Sequence, residues 1–281
     1  MQQKLLKLLL MKPDLYLDEM QWFLAEECDI YVDITTISRH LDEADWTNKR
    51  VYLVAAQRNE ELRRFHLFKI SYAEARAEQF VFVDECGTDK RDGARRTGWA
   101  PKGYTPRVES GMTRGKHFHI MPAITIHGLL EMLVWQGQST KEGFIAWLRD
   151  KIIPQMNPFP GPNSILVMDN ASWHHDKRIV TMGKEGGIWL LYLPPYSPDF
   201  NPIEAYFGDL KQYIRRHYQY LAGDFVSDLA FAQFLQGCAY KVAENLEAIE
   251  GHFRHARVPF SEEPWVEPTE FYIPDDIPNN R

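Results

Sequence analysis

The sequence predicts an α/β domain over about residues 80–218, preceded by a small all-helical segment. Three observations predict it. FVFVDE (80–85), SILVMDN (164–170) and IWLLYLP (188–194) are short, β-type apolar runs. The last two are continuous, as strands covered on both faces read. Amphipathic helical periodicity lies between and after them, and strands alternating with helices make an α/β layer structure. The first 45 residues, by contrast, show only helical spacing. The division is therefore 1–50 helical segment, 51–79 linker, 80–258 α/β domain and 259–281 tail.

The elements follow in order. Leu15, Leu17, Met20, Phe23 and Leu24 form one apolar stripe at three-to-four spacing. After CDIYVDI, Thr35 or Thr36 can cap a second helix, TISRHLDEADW, with Ile37, Leu41 and Ala44 on one face. Two short helices joined by a tight break suggest a helix-turn-helix; a plain helical hairpin is the alternative. In the DNA-binding reading, Arg39 and His40 lie on the open face of the second helix, with Lys49 and Arg50 just beyond. Residues 50–79 are helical, charged and connecting. HFHIMPAITIHG (117–128) and LLEMLVWQG (129–137) read as two strands meeting at Gly128. Phe144, Ile145, Leu148 and Ile152 mark a helix. PIEAYFGDLKQYIRRHY (202–218) is an amphipathic helix with proline in its first turn. Phe231 and Phe234 read as core. The tail from Pro259, rich in Pro, Glu and Asp, reads as disordered.

Composition narrows the function. The chain has 44% hydrophobic and 25% charged residues, a globular balance. No stretch reaches the ~20 apolar residues of a membrane helix. The apolar start is broken by Lys7 and lacks a small-residue cleavage site, so it does not read as a signal peptide. Cys28, Cys86 and Cys238 form no CxxC pair, which argues against a disulfide scaffold or a structural zinc. A net charge of −7 argues against a nucleic-acid partner until its distribution is read. Residues 219–281 alone carry −7, whereas 80–120 carry +3, with a basic island from Lys90 to Arg107. Arg95, Arg96, Lys102 and Arg107 can grip phosphates there, with Trp99 or Tyr104 packing beside sugars or bases.

Three carboxylates stand where apolar segments stop or a helix starts. Asp84 ends VFVD, Asp169 ends ILVMD, and Glu204 sits in the first helical turn after the proline-dense PPYSPDFN. Hard oxygen donors on rigid, converging elements are what two Mg²⁺ ions need for in-line phosphoryl transfer. Acids also end strands by chance and favour helix N-termini, so the neighbours matter. Asn170 follows Asp169 directly, and His174 is placed to steer a ligand, contact phosphate or close its own loop. Glu85 points to the opposite strand face from Asp84. Asp199 reads as a turn or cap residue, and Asp209 points away from Glu204. His117 and His119 share a strand face, lack an evident third ligand and read as sheet residues.

VDECG, MDNASWHH and LYLPPYSPDFNPIE strongly resemble the catalytic domain of DDE transposases of the mariner superfamily, in the branch ending in Glu. That branch has 34 residues between its second Asp and the Glu, as Asp169 and Glu204 do. GWAPKGYTPRV (98–108) and SRHLDEADWTNKRV (38–51) resemble further family segments, so the likeness spans roughly 15–218. The resemblance implies an RNase H-like mixed sheet flanked by helices. It implies that Asp84, Asp169 and Glu204 hold two Mg²⁺, for which Mn²⁺ can substitute. It implies cut-and-paste chemistry on double-stranded DNA: hydrolysis at the transposon terminal repeats, then attack of the freed 3′-hydroxyl on target DNA at TA. Handling two ends implies a homodimer by family analogy.

The family carries two helix-turn-helix units where this sequence has room for one. The expectation is a chain without the first, with weakened recognition of transposon ends. The alternatives are a domesticated or truncated DNA-binding protein without transposition, and an RNase H-like nuclease on hybrids or branched DNA. The 34-residue spacing and SPDFNPIE speak against the last. The resemblance places the protein in the nucleus of a eukaryote or the cytoplasm of a bacterium, with no membrane partner.

Overall fold

The computed structural model describes the chain except residues 50, 52–54, 56, 96, 109–115, 222–226 and 261–281; for 90–91 and 219–221 it describes backbone only. Arg50 and Arg96 lie outside the described residues, as does the tail from residue 261. The chain divides into two units, Met1–Ala56 and Gln57–Arg281.

Among its described residues the first unit holds three helices: α1 (Gln2–Met11), α2 (Leu17–Cys28) and α3 (Ile34–Glu43). Leu5, Leu9, Met20, Leu24 and Ile37 close a small core. The apolar start is therefore a core helix. The cap of α3 is Asp33, whose side chain accepts from the Ile34 N–H at 2.8 Å, and not Thr35 or Thr36. An ionised carboxylate at that end also suits the helix dipole.

The second unit begins with α4 (Glu60–Tyr72), then β1 (Phe80–Val83), β2 (Cys86–Thr88), β3 (Phe118–Thr125), β4 (Gly128–Gln136), α5 (Lys141–Trp147), β5 (Ile165–Met168), α6 (Lys177–Glu185), β6 (Trp189–Tyr192), α7 (Pro202–Leu221), α8 (Asp228–Ala243) and α9 (Leu246–His255). β4 and β3 form an antiparallel hairpin, turned at Gly128 with a φ of +100°. β1 and β2 pair antiparallel with the other edge of β3. β5 and β6 add in parallel beyond β1. Among the described residues the result is a mixed sheet of six strands. α5 widens to π geometry over Leu148–Ile152 and stops in a 3₁₀ turn containing Pro154, which cannot continue the ladder.

Strand alternation sorts the core into two layers. Phe80, Phe82, Ile165 and Val167 face α4, α7, α8 and α9. Val81, Val83, Leu166 and Met168 face α5 and α6. The Tyr206 hydroxyl donates to the Ala239 carbonyl at 2.9 Å, tying α7 to α8. Phe231 is fully buried and Phe234 partly so, as core.

Two sequence expectations change here. The stretch read as a linker supplies α4, whose Arg63, His66, Leu67 and Ile70 are buried in the α7 layer. The helix is as expected, but its charge count hid the side that is buried. The stretch read as the start of the tail is packed as well: the Pro259 carbonyl accepts from the Ala77 N–H at 2.7 Å, and Phe260 is buried under the Arg254 guanidinium.

Candidate active site

Asp84 and Asp169 each follow the last residue of a strand, and those strands are parallel neighbours. Phe82 stands opposite Val167, so two residues further on the aspartates come side by side. Asp84 has the parity of Phe80 and Phe82, and Asp169 that of Ile165 and Val167. Both stand one residue beyond those strands; Asp84 bonds Asn201, the residue ahead of α7, whereas Asp169 turns to His174. Glu204 lies in the first turn of α7 and is exposed. The sequence order Asp, Asp, Glu thus becomes a strand end, its neighbour's end and the start of the covering helix. A cleft of about 260 Å³ opens beside the aspartates, walled by Met121, Phe144 and Trp173.

The two aspartates are held differently. Asp169 Oδ1 lies 2.6 Å from His174 Nδ1 and also accepts from the Ala171 N–H at 3.1 Å. The His174 hydrogen bond is the largest influence, and it holds the Asp169 carboxyl below the usual range despite burial. His174 is itself buried between Phe144 and Trp173, each ring 4.7 Å away. Beside it, His175 Nε2 lies 2.8 Å from Asn170 Oδ1, so both residues singled out after Asp169 join one tight turn. Asp84 accepts from the Glu85 N–H at 2.7 Å and from the Asn201 side-chain amide at 2.7 Å. Burial pushes its carboxyl up to about 7, with Glu204 and Asp169 adding like charge.

That repulsion bears on a metal. Among the described residues, no three ligand-type side chains already close around a point. The chemistry of the donor set nonetheless fits hard dications: three carboxylates, all oxygen donors, close enough for two to raise the third. Asp84, Asp169 and Glu204 are the residues that could hold them.

The remaining sequence-singled residues fall into place around this. Glu85 turns to His119 Nδ1 at 2.5 Å and to the Ser139 hydroxyl at 2.6 Å, away from Asp84. His119 stacks on Trp135, a sheet role. Asp209 meets His252. Asp199 is not a cap: both its oxygens take Arg63, at 2.9 and 2.7 Å. Burial would raise its carboxyl, but the Arg63 hydrogen bonds and the Arg63 and Arg58 charges win and lower it. Arg95, Lys102 and Arg107 are exposed, with Arg95 donating to the Arg216 carbonyl at 3.2 Å. Trp99 and Tyr104 are exposed too. In the first unit Arg39 and Lys49 are exposed. His40 is half-buried, its Nδ1 3.2 Å from Glu43, and not on the open face.

Sequence reading missed Asn201, Arg63, Lys211 and Arg215. Asn201 stood inside a quoted motif, and only the fold shows its partner. Lys211 and Arg215 were legible from spacing: seven and eleven residues past Glu204, each falls within about 20° of it around α7.

The family model for the DDE superfamily endonuclease matches residues 79–222, just over half the chain. The chain belongs to this family. No curated protein matches it. Its fold is similar to the crystal structure of the Mos1 mariner paired end complex with Mn, at 17% identity and a TM-score of 0.62, over 90% of this chain and 76% of that one. The same complex with Mg gives 15% and 0.62 over 92% and 77%. The Mos1 Strand Transfer Complex gives 16% and 0.57 over 89% and 77%. This DDE family member thus has the RNase H-like mixed sheet, with a helical unit ahead of it.

Proposed function

We propose that the chain is a transposase that hydrolyses phosphodiester bonds at transposon ends and transfers the freed strand to target DNA, cut-and-paste, at TA sites. The observation that carries the reading is the side-by-side placement of Asp84 and Asp169 at neighbouring strand ends, with Asp84 bonded to the residue that opens the helix of Glu204 and feeling the charge of both other acids. Family membership supports nucleic-acid cleavage, and the likeness to complexes named for paired ends and strand transfer supports transposition and a homodimer. Those named with Mn and Mg support a divalent metal.

Asp84, Asp169 and Glu204 would hold two Mg²⁺, or Mn²⁺ in substitution. Bound there, the ions would activate the attacking oxygen and stabilise the leaving oxygen of an in-line displacement at phosphorus. His174 fixes the Asp169 carboxylate through one short hydrogen bond, and Asn170 holds the turn that presents it. Arg95, Lys102 and Arg107 bind DNA phosphates, joined by Lys211 and Arg215 below Glu204 on α7. Arg39 and Lys49 of the helical unit contact DNA ahead of them. The protein works in the nucleus of a eukaryote or the cytoplasm of a bacterium.

Supercoiled plasmid incubated with the protein in Mg²⁺, Mn²⁺ or EDTA tests this. Nicking in either metal, lost in EDTA and in Asp169→Asn, is the expected result. A folded protein that binds DNA but cuts in neither metal would leave a DNA-binding protein without transposition, and the proposal would fall.

A further inference from the structure

Three consecutive residues ahead of α7 make three contacts in different directions. Asp199 receives both guanidinium nitrogens of Arg63, which is 0% exposed, and Arg58 stands 3.8 Å away. Phe200 is 2% exposed and lies under the Arg63 guanidinium, 3.9 Å from its ring centre, with the His66 ring stacked at 5.5 Å. Asn201 is 6% exposed and does two jobs with one amide. Its nitrogen donates to Asp84 Oδ2 at 2.7 Å, and its oxygen accepts from the Ile203 N–H at 3.2 Å, inside the first turn of α7.

We infer that Asn201 is a positioning residue that sets Asp84 and Glu204 against each other, and that the pair of fully buried Arg63 with partly buried Asp199 acts through it. The inference rests on the functional reading above. An amide is the side chain that suits the place, because it donates on one side and accepts on the other. A carboxylate there would meet Asp84 with like charge; alanine would free the Asp84 side chain and uncap the helix of Glu204. The ion pair explains why the amide stays in register. A buried pair is weak evidence for stability as such, since its desolvation offsets its attraction. Its planar fork, however, fixes Asp199 in two dimensions, which lysine could not do. Phe200, packed against both the guanidinium and the imidazole, transmits that fixed position by one peptide to Asn201.

The test uses the full chain with Asn201→Ala, Asn201→Asp, Arg63→Lys and the double variant N201A/R63K. Mn²⁺ binding is measured by calorimetry without DNA, nicking at saturating Mn²⁺, and melting in EDTA. N201A and N201D each weaken Mn²⁺ binding and slow nicking by about tenfold or more. N201D keeps a helix-capping side chain, and the melt in EDTA shows whether either variant's loss is one of folding. R63K alone slows nicking, yet adds no further loss to N201A, as two residues acting in series require. If the parent binds Mn²⁺ and nicks while N201A and N201D match it within twofold, or if R63K and N201A losses multiply, the inference is overturned and the functional reading stands. If the parent neither binds Mn²⁺ nor nicks, both are overturned together.

Discussion

Asp84 and Asp169 occupy equivalent positions on paired strands, yet their carboxyls are driven in opposite directions. Asp169 is half-exposed and takes a short hydrogen bond from a histidine that two aromatic rings immobilise. Asp84 is deeper, is bonded by two neutral N–H groups, and feels two other acids. The first is kept ionised, and the second is pushed up to about 7. Backbone register therefore decides where a carboxylate stands, but its charge is decided by its burial and by the partners other segments bring. The Asp169 side is built from its own downstream turn; the Asp84 side is built from residues 117 positions away.

The largest expected effect abolishes the comparison from both sides. Asp84→Asn and Asp169→Asn should each cut plasmid nicking by more than about 10³-fold. In EDTA, however, they should part. D84N removes a carboxylate that folding desolvates, and should raise the melting temperature at pH 8. D169N replaces an acceptor of a charge-assisted bond and should lower it. A melt of each variant measures this. The metal-free gain of D84N should shrink as pH falls from 7 toward 4, because the folded protein already holds that proton there.

The next effect lies on the Asp84 side. Arg63→Ala strips the fork from a partly buried Asp199 and leaves it only Arg58 at 3.8 Å, and should cost about 1–3 kcal/mol in urea unfolding of the second unit. On the Asp169 side, His174→Ala should lose about 10–100-fold in nicking. His174→Gln, which can still donate to the carboxylate, should recover part of that. If both histidine variants cut normally, the contrast between the two aspartates has no bearing on activity.

His66 sharpens the picture further. Burial, then Lys69 and Arg63, lower it to about 4, against 6.5 in an unfolded chain. Between pH 6.5 and 4 the unfolded chain binds the extra proton, so stability is present above 6.5 and lost as pH falls through that window. The loss amounts to at most about 3 kcal/mol. His66→Phe should flatten the slope of stability against pH across that window. The smallest expected effect is Lys102→Ala, which should leave melting unchanged and reduce the salt slope of DNA binding by about 1.

Legibility followed the range of the interaction. Strand ends, the α7 amphipathic face and the two-layer core rest on local periodicity, and the apolar runs at 80, 164 and 188 are strands at the expected places. The nearness of Asp84 and Asp169 follows once those strands are paired in parallel. What local pattern could not show was anything made by two distant segments. The residues around α4 read as a charged linker because Arg63 looked like surface charge; its partner is 136 positions on. Asp199 read as a cap because acids before helices commonly are, whereas the cap of α7 is the Asn201 side chain. Asp33 was passed over for two threonines that also satisfy the capping preference.

The placement of α4 redraws where this protein can be cut. A fragment begun at Phe80, the first strand residue, would strip the guanidinium and imidazole from Phe200. It would also uncover the layer that Leu67 and Ile70 close. A fragment begun at Gln57 keeps all of them. For expression, or for exchanging the helical unit, the joint lies ahead of residue 57. The helix that sequence reads as a connector travels with the sheet.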